Sequence, residues 1–391
     1  MPWKRRLFRG RDLSRALNIA DLRDIARRSV PGFVFEYVES GAEDEVTLRG
    51  NREALERLRL IPQTLVDTSG RHLRSTILGR PANAPLIIAP TGLNGLLHPD
   101  GDVTLARAAA KLGVPYTLST VSTTRLEELA SRAGGRLWMQ LYVVKERAIG
   151  RDIMQRAAAA GYEALVFTTD ANVFGTREWD QRGYRRPGKP TLRASLDTLR
   201  HPGWLWEVLL RHGMPRFRNL EPFLPANLTP MGASTVIPQL FDANISWRDI
   251  AWIREHWHGK LLLKGVLSVA DAERAATLGV DGIVLSNHGG RQLDYCVAPI
   301  DVLTEIKAAV GARLALLIDG GFRRGTDVVK ALALGAEAVL LGRATLYGLI
   351  AGGGPGVERA LAILTTEIDR VLGQLGCNNV SELQPQFVRR P

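Results

Sequence analysis

The chain has 391 residues, of which 45% are hydrophobic and 23% charged, a composition typical of a globular protein that excludes extensive disorder. No apolar run approaches the eighteen or so residues of a membrane-spanning helix, and the N-terminus has the charges of a signal peptide without its apolar segment. Two cysteines, Cys296 and Cys377, exclude a disulfide framework, and no Cys/His cluster has zinc-ligand spacing. We therefore expect a reduced, cytoplasmic protein without a metal site.

The formal net charge is +11, which raises nucleic acid, an anionic membrane or acidic ligands as partners. Residues 179–219 carry nine Lys or Arg against three Asp or Glu, and residues 1–11 add five basic residues and no acid. These two segments together account for the whole net positive charge of the chain. Because the rest of the chain is nearly neutral, no basic face extends over the fold, and we expect no nucleic-acid partner.

Eight short apolar runs bounded by turn residues predict strands that are buried on both faces. In chain order they are 85–89, 115–119, 136–141, 163–168, 260–264, 281–286, 313–318 and 337–342. Amphipathic helical patterns lie between them, including 124–133, 146–160, 270–278 and 326–334. Eight alternating units predict an α/β fold of the (β/α)8 TIM-barrel type, because an open doubly wound sheet more often has about five to seven strands.

Two stretches lie outside this alternation. Residues 1–70 precede the first strand and are predicted as an N-terminal helical extension, and residues 179–245 form a long insertion after the fourth strand. The remainder has the length of one barrel, about 250 residues. We therefore expect residues 1–391 to form a single domain with two additions.

Reactive side chains follow several of the predicted strands, where the βα loops would form the mouth of a barrel. His288 is the candidate general base, because the pKa of an unperturbed histidine, near 6.5, suits proton abstraction at neutral pH, and its flanking glycines allow close approach of a substrate. Asp170 follows another strand and would orient the imidazole as the acid of a triad does, whereas unpaired it would be an ordinary helix cap. Arg177 and Arg291 would together bind a carboxylate, with surface ion pairing as the alternative.

Two glycine-rich turns follow the seventh and eighth predicted strands. They are Asp319–Gly325 and Leu341–Arg343, each at the start of a predicted helix. Barrels bind phosphate at this position on exposed backbone N–H groups, and Arg323 and Arg343 supply positive charge. The turns predict a phosphorylated cofactor or substrate, although glycines also occur in tight turns without a ligand.

The chain resembles the FMN-dependent α-hydroxy-acid oxidases and dehydrogenases nearly end to end. The most specific matching stretches are 35–44 (FEYVESGAED) and 286–294 (SNHGGRQLD), with 89–92, 140–142, 264–265 and 319–327 in support. The resemblance implies that His288 removes a proton during oxidation of an L-2-hydroxy acid and that Asp170 supports it. It assigns substrate contacts to Tyr37, Gly92, Tyr142, Arg177 and Arg291.

The resemblance also implies an FMN site at the barrel mouth. Lys264 would lie beside the flavin, where its charge stabilises the anionic reduced form. The flavin itself would contact Pro90, Thr91, Ser119, Gln140, Thr168 and Ser286. The ribityl chain and phosphate would contact Asp319, Gly321, Arg323, Gly342 and Arg343. A homo-tetramer is a further expectation that rests on the resemblance alone.

Within this family the chain is more similar to the mandelate dehydrogenases than to the oxidases. Gly92 stands where oxidases of short substrates often have alanine, which predicts room for an aryl or bulky side chain. Residues 179–245 coincide with the segment thought to attach mandelate dehydrogenase to the membrane. Residues 199–211 themselves predict a short interfacial helix with Trp204 and Trp206 as anchors, while a capping helix or an oligomer contact is the alternative.

The resulting hypothesis is a peripheral protein on the inner face of the membrane that oxidises a mandelate-like L-2-hydroxy acid and passes electrons to a quinone. The alternative is a soluble lactate or long-chain 2-hydroxy-acid oxidase that uses oxygen. A second alternative is a barrel isomerase of phosphorylated substrates. It would have the same glycine-rich turns after the last two strands, but it would not need His288, Arg177 and Arg291. A non-catalytic membrane-associated barrel is more distant, because every expected catalytic position is filled.

Overall fold

The computed structural model describes residues 8, 10–142, 144–182, 184–186, 189–224 and 239–390. Eight parallel strands form a closed barrel, in which Val339 of the last strand pairs with Leu86 of the first. Strands β1 to β8 are Leu86–Ile88, Tyr116–Leu118, Leu137–Leu141, Ala164–Thr168, Lys260–Val266, Gly282–Leu285, Ala315–Ile318 and Ala338–Leu341. Each coincides with one of the eight predicted runs, so the (β/α)8 fold is confirmed.

The strands form where apolar side chains cover both faces of the chain. One face fills the barrel interior, where Ile87, Trp138, Val166 and Leu262 are all buried in one cluster. The other face packs on the surrounding helices, which explains why no alternation of polar and apolar residues marks the strands. The interior of the barrel is therefore a packed core, so a ligand would bind at its mouth, where the strands end, and not inside it.

Helices surround the barrel and also form the N-terminal extension. Helices α1 to α8 are Ile19–Arg27, Gly32–Glu39, Val46–Arg57, Asn94–Leu97, Gly101–Leu112, Leu126–Ala133, Arg147–Ala159 and Glu178–Arg182. Helices α9 to α15 are Leu192–Leu199, Pro202–Trp204, Arg248–His256, Val269–Thr277, Pro299–Val310, Gly325–Ala333 and Arg343–Leu375. The last is broken at Gly352 and Gly353, whose backbone angles are not helical. The four helices predicted between strands are confirmed to within two residues at each end.

Short elements complete the described chain. Antiparallel pairs join 59–60 to 388–389, 75–77 to 80–82 and 184–186 to 189–190, and short 3₁₀ turns occur elsewhere. The 75–82 hairpin places Ile77 and Leu78 in the interior cluster of the barrel. It therefore closes the end of the barrel opposite to the mouth.

The chain between β4 and β5 differs from its prediction. A helix does cover most of the expected range 199–211, but it begins only at Pro202, because α9 ends at Leu199. It starts as the one-turn α10 and continues without a break as a π-helical turn over Leu205–Leu210. Trp204 is only 5% exposed and its indole N–H donates to the carbonyl oxygen of Leu96. Trp204 is therefore part of the core, and its prediction as a membrane anchor is wrong.

The predicted membrane-contact segment 179–245 includes residues 183, 187, 188 and 225–238, which lie outside the described residues. Over the part of the chain that the structure describes, none of the helices has both the length and the hydrophobicity needed to cross a bilayer.

Candidate active site

A cavity of about 830 Å³ opens at the carboxyl ends of the barrel strands. It is lined by fifteen of the side chains and turns predicted from the sequence: Tyr37, Pro90, Thr91, Gly92, Ser119, Tyr142, Arg177, Lys264, His288, Arg291, Asp319, Gly321, Arg323, Gly342 and Arg343. Four further predicted residues lie one step behind the lining: Gln140, Asp170 and Ser286 hydrogen-bond to side chains that line the cavity, and Thr168 hydrogen-bonds to Gln140. The fold thus brings residues from across the sequence to one place.

His288 and Asp170 form a hydrogen-bonded pair at the cavity wall. The imidazole Nδ1 lies 2.9 Å from Asp170 Oδ1, and the other ring nitrogen, Nε2, lies 3.3 Å from the hydroxyl oxygen of Tyr142. Because an ionised carboxylate only accepts, Nδ1 carries the hydrogen and Nε2 keeps the lone pair. Burial lowers the pKa of His288 below its ordinary value, and the Asp170 carboxylate opposes that shift. The free base therefore faces the cavity at neutral pH.

The backbone at His288 is left-handed, with φ of +56°, and Gly289 continues in the same region at +65°. A residue other than glycine in this conformation carries strain, which persists only where the surroundings hold it. Here the Ser286 hydroxyl accepts from the His288 N–H at 3.0 Å, and a Cβ at Gly290 would lie 2.7 Å from the Leu48 nitrogen. The loop is thus pressed against the N-terminal extension and aims the imidazole into the cavity.

Gly265 provides the space that Asp170 needs. Its φ is +107°, and a Cβ there would lie 2.8 Å from the Asp170 carboxyl carbon. The pairing of β5 with β6 shifts register between Lys264 and Val266 at the same point, so a bulge turns the strand. Burial acts to raise the pKa of Asp170, but the nearby His288 and Lys264 outweigh it and the net shift is downward.

Lys264 is a buried cation with its partners on neighbouring strands. Its Nζ donates to the Ser286 hydroxyl at 2.9 Å and lies 3.4 Å from Asp319 Oδ2. Burial by itself would lower the pKa of Lys264, but the Asp319 and Asp170 carboxylates raise it above its ordinary value. Lys264 therefore keeps a fixed positive charge at the cavity wall.

A chain of neutral polar groups crosses the barrel top below the cavity. The Ser119 hydroxyl donates to Gln140 Oε1 at 3.1 Å, and Gln140 Nε2 donates to the Thr168 hydroxyl at 2.9 Å. All three side chains are at least 98% buried. Because each group is fixed by its neighbour, this arrangement presents ordered hydrogen-bonding atoms at the top of the barrel.

The two glycine-rich turns leave an open cradle at the far side of the cavity. Gly320 and Gly321 have φ of +98° and +84°, and a Cβ built on Gly342 would have no atom within 4 Å. Gly342 is the N-cap of α15, whose first-turn N–H groups face an anion favourably. Among the described residues, the buried Oδ1 atom of Asp319 has no hydrogen-bond partner, so it is available to accept from a ligand hydroxyl. The donors, cavity and orphan acceptor fit FMN.

Arg343 is more constrained than its sequence position indicated. Its guanidinium donates to the carbonyl oxygens of Val38 at 2.8 Å, Gly289 at 2.8 Å and Ser40 at 3.0 Å. Arg343 therefore ties the C-terminal end of α2 and the loop that carries His288 to the turn at Gly342.

Arg177 and Arg291 both line the cavity and share one internal carboxylate. Asp180 Oδ2 lies 3.0 Å from Arg177 Nε and 3.9 Å from Arg291 Nη2. Arg291 also donates to the Ser40 carbonyl oxygen at 2.8 Å, and its guanidinium lies 5.5 Å from the centre of the Tyr37 ring. Two guanidinium groups on one cavity wall have the donor geometry that suits a carboxylate.

Sequence reasoning missed Asp180, Ser40 and the apolar lining. Asp180 follows Arg177 at the i+3 spacing of a helical ion pair, a signal that was available. Ser40 offered no signal beyond its place in the 35–44 motif. The apolar wall comes from separate elements and could not be found locally: Phe33, Leu96, Val121, Phe174, Phe217, Phe241 and Leu346.

The chain is similar to known proteins over nearly its whole length. Residues 26–390 match the family model described as FMN-dependent dehydrogenase. The (S)-mandelate dehydrogenase of Pseudomonas putida is 45% identical over 373 residues, covering 95% of this chain and 93% of that protein. An L-lactate dehydrogenase of Caulobacter sp. (strain K31) is 42% identical over 370 residues, covering 95% and 97% respectively.

Solved structures are similar over the same extent. The crystal structure of the monotopic membrane protein (S)-mandelate dehydrogenase has a TM-score of 0.91 and 44% identity, covering 96% of this chain and all of that chain. A mandelate oxidase with (S)-2-phenylpropionate has a TM-score of 0.79 and 37% identity, covering 95% and 98%.

Proposed function

The chain belongs to the family of FMN-dependent 2-hydroxy-acid dehydrogenases, and from that premise we propose that it oxidises a mandelate-like (S)-2-hydroxy acid to the 2-oxo acid. The observation that carries the proposal is the placement of the His288–Asp170 pair and the Arg177–Arg291 pair on the wall of one cavity. A carboxylate held by the arginines would bring the adjacent carbinol group toward the base.

Bound FMN supplies the two-electron acceptor for the conversion of C–OH to C=O. His288 Nε2, which carries the lone pair, accepts a proton from the substrate, and the Asp170 carboxylate stabilises the resulting imidazolium. The Tyr142 hydroxyl, 3.3 Å from Nε2, lies where it can bond the substrate oxygen. Lys264 holds its positive charge throughout and favours negative charge that develops nearby.

The apolar lining supports a bulky substrate side chain. Phe174 and Phe241 pack with ring centres 5.1 Å apart, and Tyr142 lies 4.9 Å from Phe241. Aromatic walls favour an aryl group by edge and offset contacts. Gly92 also lines the cavity, and a Cβ there would lie 2.7 Å from Val121 Cγ2, so a larger residue at this position would displace Val121 of the apolar wall.

Lactate is the second candidate substrate. It is favoured by the 42% identity to an L-lactate dehydrogenase, whose named substrate, lactate, has a methyl side chain. Mandelate would fill the space along the apolar wall with its phenyl ring, whereas lactate would place only a methyl group there. A comparison of the rates with the two substrates decides between them.

Anaerobic bleaching of the flavin is the direct test. Purified holoenzyme would be mixed with (S)-mandelate, (S)-lactate and glycolate in turn, and the flavin absorbance followed. We expect mandelate to bleach it most efficiently and the (R)-enantiomer to be poor. A flavin that no 2-hydroxy acid reduces contradicts the proposal, and faster reduction by lactate favours the second candidate.

We also propose that the protein binds peripherally to an anionic membrane through an exposed apolar stripe. The stripe consists of Leu192, Leu196, Leu199, Trp206 and Leu210, which are between 52% and 66% exposed. The three α9 leucines follow the i, i+4, i+7 pattern and therefore share one helix face. Basic side chains at 193, 200 and 211 lie along the same segment, so apolar insertion and attraction to anionic lipid act together.

The stripe belongs to a segment that packs beside the cavity mouth. Asp197 Oδ2 of α9 accepts from the Gly32 N–H at 2.7 Å, and the buried Trp204 meets Phe33 edge to face at 5.8 Å. Phe33 lines the cavity. This placement supports a quinone dissolved in the bilayer as electron acceptor, with oxygen as the alternative.

Vesicle co-sedimentation tests membrane binding. Vesicles of phosphatidylcholine with 30% phosphatidylserine would be spun with the holoenzyme, with the variant Leu196→Ser/Leu199→Ser, and with the control Leu17→Ser/Leu65→Ser, whose leucines are also exposed. We expect salt-sensitive binding that only the stripe variant loses. Absence of binding at low salt would make this segment a lid or subunit contact and oxygen the favoured acceptor.

Three further points remain proposals. We infer a single domain over residues 1–391, supported by a core cluster that joins Ile25 of α1 to Leu364 of α15. A homo-tetramer and a location on the inner face of the membrane rest on the family resemblance. Light scattering of the detergent-free holoenzyme and protease protection in spheroplasts are the respective tests.

A further inference from the structure

We propose that Asp180 is a positioning residue of the carboxylate clamp that also sets its charge, so that Arg177 and Arg291 together accept one negative charge and no more. This inference rests on the proposed function of the cavity. It concerns a residue that no sequence motif assigned and that lies on the cavity wall itself.

Asp180 is held from three sides. Its Oδ2 is 3.0 Å from Arg177 Nε and 3.9 Å from Arg291 Nη2, and its Oδ1 accepts from the Ser40 hydroxyl at 2.5 Å. Its side chain is 18% exposed, so the carboxylate is largely withdrawn from water. A group fixed in this way has one orientation, which in turn fixes the arginine that it contacts.

Ser40 anchors the arrangement to the rest of the site. Its side chain is buried, and its carbonyl oxygen accepts from Arg291 at 2.8 Å and from Arg343 at 3.0 Å. The hydroxyl of the same residue orients Asp180. The clamp and the phosphate cradle are therefore joined through one residue at the end of α2.

The charge balance follows from the same contacts. Two guanidinium groups on one cavity wall repel each other, and burial together with Arg177 lowers the pKa of Arg291, while Asp180 opposes the shift. Among the described residues, Asp180 is the only ion-pair partner of either arginine. Two positive charges and one internal negative charge leave the clamp with a net charge of one, which matches a monocarboxylate.

The clamp would therefore discriminate by charge as well as by shape. A ligand with a second negative charge finds no unpaired cation at the clamp and is repelled by Asp180 across a poorly solvated site. Removing the Asp180 charge while keeping its shape would leave one guanidinium unpaired. That cation would then favour a dianion over a monoanion of similar size.

The test compares propionate with malonate, which are similar in size and differ by one charge. Their dissociation constants would be measured from the perturbation of the flavin spectrum in the wild-type holoenzyme and in Asp180→Asn. We expect the ratio of the propionate to the malonate constant to rise at least tenfold in the variant. We also expect kcat for the 2-hydroxy acid to fall at least fivefold, because Arg177 loses its fixed partner.

Two controls separate charge from position. Ser40→Ala keeps the Asp180 charge but removes its anchor, so kcat should fall while the propionate-to-malonate ratio stays within twofold of wild type. Asp152→Asn removes a carboxylate whose partner is Arg156 on the surface of α7, and it should change neither quantity.

The outcomes are distinct. An unchanged ratio in Asp180→Asn overturns the charge-matching inference. If the ratio is unchanged because both dissociation constants rise by the same factor, Asp180 has a purely structural role. If the wild type oxidises no 2-hydroxy acid yet the ratio still rises in the variant, the proposed function fails while the assignment of Asp180 stands.

Discussion

Replacement of Asp170 by asparagine is the most informative single change at the site. Asparagine keeps the size of the side chain and an oxygen that can accept from His288 Nδ1, which lies 2.9 Å from Asp170 Oδ1. What it removes is the negative charge that faces the imidazolium formed when the base takes a proton. The variant therefore separates electrostatic stabilisation from orientation.

The magnitude follows from the distance. Unit charges about 4 Å apart attract by about 4 kcal/mol at an effective dielectric constant near 20, which corresponds to a factor of about 10³ in rate. Lys264 shares the field of the carboxylate and reduces this figure. We therefore expect flavin reduction in Asp170→Asn to slow by about 10²- to 10³-fold.

The pH profile provides a second readout with a defined sign. Asp170 opposes the effect of burial and holds the pKa of His288 up, so its loss lowers that pKa further. Because His288 works in its neutral form, activity is lost as the pH falls through its pKa. The acidic limb of kcat/KM, expected below about pH 6.5 in the wild type, should move to lower pH in the variant.

Stopped-flow reduction under anaerobic conditions measures both effects. It would be run with (S)-mandelate and its 2-deuterated form over a range of pH, with FMN content determined by absorbance and Asp152→Asn as the surface control. Reduction within fivefold of wild type, together with an unmoved acidic limb, would refute the role given to Asp170.

Further predictions concern the base, the clamp and the pocket. His288→Asn should retain FMN, because the phosphate cradle lies on other strands, and should lose at least about 10²-fold in flavin reduction; near-normal reduction rejects the base assignment. Arg291→Met should weaken substrate binding and slow reduction together, because the clamp orients the reacting bond; a methyl ester oxidised as well as the acid counts against the clamp. Gly92→Ala would place a methyl 2.7 Å from Val121 Cγ2 and should lower kcat/KM for mandelate more than for lactate. The difference between the two losses should correspond to about 1 to 3 kcal/mol of activation free energy. Gly50→Ala, with no atom within 4 Å of the added methyl, is its control, and a wild type that prefers glycolate contradicts the pocket argument.

The sequence by itself determined the barrel and much of the chemistry. Eight apolar runs predicted the eight strands, because a strand buried on both faces leaves a continuous apolar signal. The strand ends then placed His288, Asp170 and Lys264 at one mouth, since parallel strands in a barrel share the edge at which they end. Local patterns were sufficient for these conclusions because each depends on residues that are close in the chain.

Tertiary structure decided what depends on contacts between distant segments. Trp204 resembled an exposed anchor in sequence, yet it is buried because α10 folds back on Phe33 and Leu96. Asp180 is a surface-type residue in a basic segment, but the return of Ser40 and Arg291 to the same wall places it inside the clamp. Apart from Arg177, which is three residues from Asp180, the partners of these side chains lie more than a hundred residues away, and no local periodicity encodes such pairings.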